Sequence, residues 1–440
     1  MINFYLARFD THMRDVLKGA YIAFIIKVFA VTATFGMNLF IARVLGAEGS
    51  GIFFLALTII TIISVLSRLG MENAIVRFIS ENVAVKKNEK VIGIYNKVIK
   101  YVSVASLIIS AILYLYSPWI SVEIFGKTSL DKPLQIFSLS IFPLALLTIN
   151  AHALQGLRWI GSYVSVISLG VPLLTLILSV FFINADGVYT FIYSFLLATM
   201  FTLFLSFLLW WFASKPFRYH GSEFQNRELF NLSFPMYTAN ILNITITWAP
   251  LLMLGVWESS ENIGIYNAAT KTAMLIGFII LSVNSIIAPK FAALYKNNEM
   301  KNLEKVARGS TKIMVFLAFP FLILFIFFSD SVMLLFGEEF VSGSSVLLVL
   351  AVGQFINVAT GSVGYLLQMT GYERAVRNTL FISFFLMFSF SIFIIPLYGI
   401  LGAASVSATI LATQNIIMMI LAHKYLKIII FPWFNIVAKT

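Results

Sequence analysis

Apolar residues in this chain come in long unbroken runs rather than in short alternating stretches, and polar clusters separate one run from the next. The runs are roughly 17–25 residues long, the length a helix needs to cross a hydrocarbon core. In lipid a spanning segment must satisfy its own backbone, so runs of this kind are read as helices and not as open strands. The pattern predicts spans near 19–42, 51–70, 98–117, 134–155, 163–183, 189–212, 230–256, 264–289, 312–329, 345–368, 378–396 and 400–423. Residues 1–18 behave differently. Leu6, Phe9, Met13 and Leu17 share one helical face while Arg8, Asp10, Arg14 and Asp15 lie elsewhere, which predicts a short amphipathic helix at the membrane surface. The fold class that follows is an all-α multi-spanning membrane protein with about 12 transmembrane helices.

Three patches of sequence recur at one constant offset, the one that separates Gly51 from Gly264. Glu48, Gly51, Ile52 and Phe53 return as Glu261, Gly264, Ile265 and Tyr266. Arg77-Phe78 returns as Lys290-Phe291, and Leu154-Gln155 as Leu367-Gln368. Leu, Ile and Ala match by chance in so apolar a chain, so the charged, Gly and Gln positions carry the weight. Six spans per repeat is an even number, which gives both halves the same orientation and relates them by an axis along the membrane normal. The expected organisation is an amphipathic helix at 1–18, a six-helix lobe at 19–218 and a second six-helix lobe at 219–440.

Composition agrees with this pattern. The chain is 60% hydrophobic and 11% charged, with a mean hydropathy of +0.93, too few polar residues to face water on all sides. The net charge of +11 is distributed by topology. With the N-terminus inside, 25 of the 30 Lys and Arg residues fall on inner segments, and only Arg43, Lys127 and Lys132 fall on outer ones. This bias, together with anionic headgroups, accounts for the charge without a nucleic-acid partner. Both termini are therefore expected to be cytoplasmic. The zero cysteine count removes disulfides, thiolate metal sites and cysteine catalysis. There is no phosphate-binding Gly-rich loop, no paired-His metal motif and no Gly-x-Ser-x-Gly, and the outer segments 118–133 and 330–344 are too short for an external catalytic domain. A transporter is therefore expected rather than an enzyme, with no metal and no cofactor.

Charged groups at membrane depth cost roughly 2.5–3.5 kcal/mol each, so those that occur there are candidates for function. Lys27 lies about two turns into the first span, and Thr34 and Asn38 continue its face outward. Arg68 closes a polar stripe with Thr58, Thr61 and Ser64 in the second span. Lys271 stands in the eighth span below Asn267. Lys27, Arg68 and Lys271 form the expected cationic lumen. Asn38, Asn240, Asn243, Asn267, Gln354 and Asn357 are candidate sugar contacts, because an amide both donates to and accepts from hydroxyls. The same side chains also have plainer readings: the cations as snorkelling anchors, the amides as bonds between helices, and His152 as a structural hydrogen-bonder. Glu72 is placed at the inner end of the second span, leaving no carboxylate in the middle of any span. Embedded cations without embedded carboxylates suit an anionic cargo.

Ala42-Arg43-Val44-Leu45-Gly46-Ala47-Glu48-Gly49-Ser50-Gly51-Ile52 resembles a signature of polysaccharide and O-antigen flippases. Leu69-Gly70-Met71-Glu72-Asn73-Ala74 with Arg77-Phe78 is similar to the segment that follows it in that family. Gly264-Ile265-Tyr266-Asn267-Ala268-Ala269-Thr270-Lys271 resembles the start of the family's eighth span, and Leu367-Gln368-Met369-Thr370-Gly371 the end of its tenth. The resemblance covers nearly the whole chain and points to the multidrug/oligosaccharidyl-lipid/polysaccharide exporter superfamily. It implies a V-shaped pair of six-helix lobes that moves an undecaprenyl-diphosphate-linked oligosaccharide across a bacterial plasma membrane by alternating access. It implies basic residues of the first and eighth spans in the lumen, where Lys27 and Lys271 stand. Membrane lipids, and the polysaccharide polymerase with its chain-length machinery, are the implied partners. A cation-coupled multidrug-type antiporter and a membrane glycan polymerase or ligase are the alternatives.

Overall fold

The computed structural model describes residues 11–84, 89–182, 187–217 and 226–430. Among the described residues every regular element is helical. The α-helices are α1 (Thr11–Ser67), α2 (Met71–Ala84), α3 (Glu89–Trp119), α4 (Asp131–Ser138), α5 (Ile141–Gly156), α6 (Ile160–Val164), α7 (Val171–Phe181), α8 (Val188–Ala213), α9 (Asn226–Trp257), α10 (Ser260–Lys296), α11 (Met300–Phe327), α12 (Ser329–Leu334), α13 (Ser344–Ala359), α14 (Val363–Met369) and α15 (Glu373–Leu426).

Among these, nine stretches are long and apolar enough to cross a membrane, and the bent pair α4–α5 makes a tenth. Two helices conceal a span each. The path of α1 breaks at Gly46 (φ 67°), between the first and second expected spans. That of α15 breaks at Gly399 (φ 55°), between the eleventh and twelfth. A positive φ is open to glycine and strained for other residues, which is why the chain bends there without a loop. The count then reaches the twelve expected spans. Of the expected amphipathic helix, residues 1–10 lie outside the described residues, and from Thr11 the chain already belongs to the helix that becomes the first span.

The helices pack as two units, one from the residues before Gly46 together with 52–244, the other from 46–51 together with residues from Thr245 on. The lobe boundary expected at 218/219 adjoins 218–225, outside the described residues. The packing divides within α9.

Each unit has its own buried cluster, and the two clusters are built from equivalent positions. The first contains Ala74, Ile94, Ala153, Leu154 and Ala213. The second contains Ile287, Ala307, Leu366, Leu367 and Leu426, each displaced from its counterpart by the offset of the sequence repeat. Outward faces carry large apolar side chains such as Phe181, Phe316, Phe327 and Leu397, at 74% exposure or more. Exposure of that extent suits lipid and not water.

Inside the second unit the start of the second span crosses the start of α10 so closely that only glycine fits. A Cβ on Gly51 would strike the Ser260 carbonyl, and one on Gly264 would strike the Ala47 carbonyl. Ser260 is the repeat counterpart of Ala47, as Gly264 is of Gly51, so the crossing is reciprocal. The two helix starts are capped differently. Ala47 N–H donates to Glu339 Oε2 at 2.7 Å, whereas Asn262 N–H donates to Ser259 Oγ at 3.2 Å.

Candidate substrate-binding site

In the first unit, Lys27 is half-buried on α1. Asn38, eleven residues on, is 2% exposed and donates from Nδ2 to the Thr34 carbonyl at 2.6 Å. One of its two amide hydrogens is thus used within its own helix, while Oδ1 is buried without a hydrogen-bond partner.

Arg68 lies at the break between α1 and α2, where Leu69 (φ 54°) and Gly70 (φ 71°) turn the chain. Gly70 sits against α9, since a Cβ there would come within 2.5 Å of the Ser233 carbonyl. That close approach brings together residues far apart in sequence. Arg68 Nε lies 3.6 Å from Glu72 Oε1, Asn240 Nδ2 donates to the same oxygen at 2.9 Å, and Tyr237 Oη donates to the Leu66 carbonyl at 3.2 Å. The sequence places Glu72 at an inner helix end, yet it is only 4% exposed, because α9 covers it. A buried carboxylate needs a partner charge and hydrogen bonds to offset its lost hydration. Arg68 and Asn240 supply both at Oε1, while Oε2 is buried without a hydrogen-bond partner. The charge of Arg68 is therefore compensated in this structure, and the Asn240 amide is engaged with a carboxylate. His152 Nδ1 donates to the Thr148 carbonyl one turn back, at 2.8 Å, and the ring meets the edge of Tyr163 with ring centres 5.4 Å apart, a structural bonding pattern.

Asn243 is exposed on α9. The polar groups of the second unit gather on α10 and the helices against it. Asn267 is 1% exposed, with Nδ2 lacking a hydrogen-bond partner. Lys271 follows one turn later and is half-buried. Its Nζ lies 4.7 Å from the centre of the Trp248 ring. Two turns further, Gln354 Oε1 packs over Gly277, where a Cβ would come within 2.6 Å, and accepts from Asn357 Nδ2 at 3.4 Å.

Among the described residues the ion pairs are Arg68–Glu72, Arg77–Glu81 and Arg308–Glu304, so neither Lys27 nor Lys271 is matched by a carboxylate. A cation over an indole face gains roughly 0.5–2 kcal/mol, less than the roughly 2.5–3.5 kcal/mol charged at membrane depth. The ring therefore offsets only part of the cost of burying the Lys271 charge. Two participants escape a reading by hydropathy. Glu72 is four residues after Arg68, a spacing that on an unbroken helix signals an ion pair. Trp248 is eight residues after Asn240 and shares its helical face, but an indole in an apolar run is counted as filler.

A family model described as "Polysaccharide biosynthesis protein" matches residues 40–345. "Probable low-salt glycan biosynthesis flippase Agl15" of Haloferax volcanii is 23% identical over 415 residues, covering 92% of this chain and 82% of that protein. Among solved structures, the lipid II flippase MurJ in an inward closed conformation aligns with a TM-score of 0.75 and 16% identity, over 90% of this chain and 86% of that one. An inward-facing multidrug resistance MATE family transporter of the MOP superfamily aligns with a TM-score of 0.73 and 14% identity, over 93% and 98%. At identities this low, structural likeness of this extent establishes a shared multi-helix fold and nothing finer.

Proposed function

Because the chain belongs to the polysaccharide biosynthesis protein family, we propose that it is a flippase moving a polyprenyl-diphosphate-linked oligosaccharide across the plasma membrane by alternating access. In a bacterium the carrier is undecaprenyl. The sugar and diphosphate travel through a polar path, and the prenyl tail stays in lipid. Stripping water from hydroxyls and phosphates is prohibitive in bare hydrocarbon, and a wet cationic path removes most of that cost.

The observation that carries this reading is Lys271, a half-buried cation in an apolar span whose partner is an indole and not a carboxylate. Lys27 is likewise a half-buried cation, in the first unit. Both suit a cargo that brings its own negative charge. The expected topology, both termini cytoplasmic, puts the polybasic segments on the side where the lipid-linked unit is made. The polymerase and chain-length machinery would receive the cargo on the other side, and the chain itself makes or breaks no bond.

Buried Glu72 is the feature that would favour a cation-coupled multidrug antiporter, but its charge is matched by Arg68. Deleting the gene separates the two readings. A flippase mutant loses surface polymer and keeps its resistance to cationic drugs, whereas an antiporter mutant keeps its polymer and becomes drug-sensitive.

A further inference from the structure

Lys271 on α10 and Trp248 on α9 face one another within the second unit, the ammonium 4.7 Å from the ring centre. Both side chains are half-buried, so neither is sealed into the core. Asn267 precedes Lys271 by one turn on the same helical face, and its Nδ2 is buried with no hydrogen-bond partner. Two helices thus present a cation, an amide donor and an aromatic face side by side. A phosphate is the natural partner of the first two, through charge-assisted hydrogen bonds. The third suits a sugar ring, whose C–H face is apolar and edged with weakly positive hydrogens that complement the negative face of an indole.

We propose that Trp248, Lys271 and Asn267 form one subsite for the phosphosugar junction of the cargo, the first sugar and the phosphate attached to it. Lys271 leaves the indole for a phosphate oxygen, Asn267 donates to the same anion, and the freed indole face stacks on the first sugar. The two partners of the lysine are alternatives, because a full negative charge outcompetes a ring quadrupole for one ammonium. The geometry couples them: the ring becomes available only when a phosphate has drawn the lysine away, and a sugar joined to that phosphate is then the adjacent group. Such a site favours a glycan bonded directly to phosphate over a free sugar or a free anion. This subsite rests on the flippase reading above.

The test uses the full chain. In a gene-deleted strain, Trp248→Leu at normal protein level is expected to display about tenfold less surface polymer than the wild type, with Trp248→Phe, which keeps a ring, in between. Purified wild-type protein in lipid nanodiscs, titrated with inorganic pyrophosphate, is expected to show a saturable change in tryptophan emission. That change should vanish in Trp248→Phe and in Lys271→Ala. If the deleted strain keeps its polymer, the flippase reading fails. If the strain loses its polymer and Trp248→Leu restores it in full, the subsite fails and the flippase reading stands. A wild-type emission that pyrophosphate leaves unchanged also overturns the exchange, and that measurement needs no variant to fold.

Discussion

At Arg68 and Glu72 two opposite charges share one burial, while Lys271 is set against a ring that offsets only part of its cost. The two arrangements respond differently to mutation. Glu72→Ala leaves the Arg68 guanidinium buried without its carboxylate, and breaking a buried pair in this way costs about 3–5 kcal/mol. The melting temperature of the purified protein should fall sharply, and the Arg68→Ala/Glu72→Ala double variant should recover much of the loss. For Lys271 the expected loss is in transport. Lys271→Ala should lower surface polymer roughly ten- to a hundredfold, since about 1.4 kcal/mol is tenfold. Lys271→Arg should keep part of it, and Lys271→Glu should be at least as damaging as alanine. Full display by Lys271→Glu would make this lysine a snorkelling anchor. Lys271 and Asn267 are legible in the sequence because polar groups in an apolar run announce their cost. The burial of Glu72 is not, since it depends on the turn at Leu69-Gly70 and on α9 arriving from far along the chain.

For the helices, apolar run length predicts all but the joints. The breaks at Gly46 and Gly399 match the expected ends of spans within a few positions, because a positive φ at glycine interrupts a run in the same way to sequence and to backbone. What run length cannot register is how the ends are held. Glu339 accepts from Ala47 N–H although the two are 292 residues apart, and no local pattern encodes that cap. Removing a helix cap costs roughly 0.5–2 kcal/mol. Glu339→Ala is expected to speed hydrogen exchange at residues 47–50, and Glu339→Gln, which retains an acceptor oxygen, to leave it near the wild-type rate. Gly51→Leu and Gly264→Leu should each disrupt the crossing of the second span with α10, read as loss of folded protein on size exclusion in detergent.

For the whole chain, the constant offset seen in three short patches extends to the buried clusters and to the glycine crossing. The patches are legible because charged, Gly and Gln residues rarely match by chance. The core equivalences are not, since Ala74 becoming Ile287 or Ile94 becoming Ala307 conserves a place and not a residue. Topology is open to direct test, because the chain has no cysteine to remove first. With both termini cytoplasmic, Ser129→Cys should react with an impermeant maleimide added to intact cells, and Asn297→Cys only after lysis; both positions are exposed. The reciprocal crossing has one more consequence. Its two sides lie far apart along the chain and meet backbone to backbone, so the joint is of the kind two separate polypeptides can form without a tether. Cleaving the gene between codons 221 and 222 and expressing both fragments together should still yield a complex that co-purifies through a tag on either one. The peptide connection there would then serve to deliver the two fragments in equal number, and their mutual recognition would reside in two missing side chains and in the seat of α9 against Gly70 and Glu72.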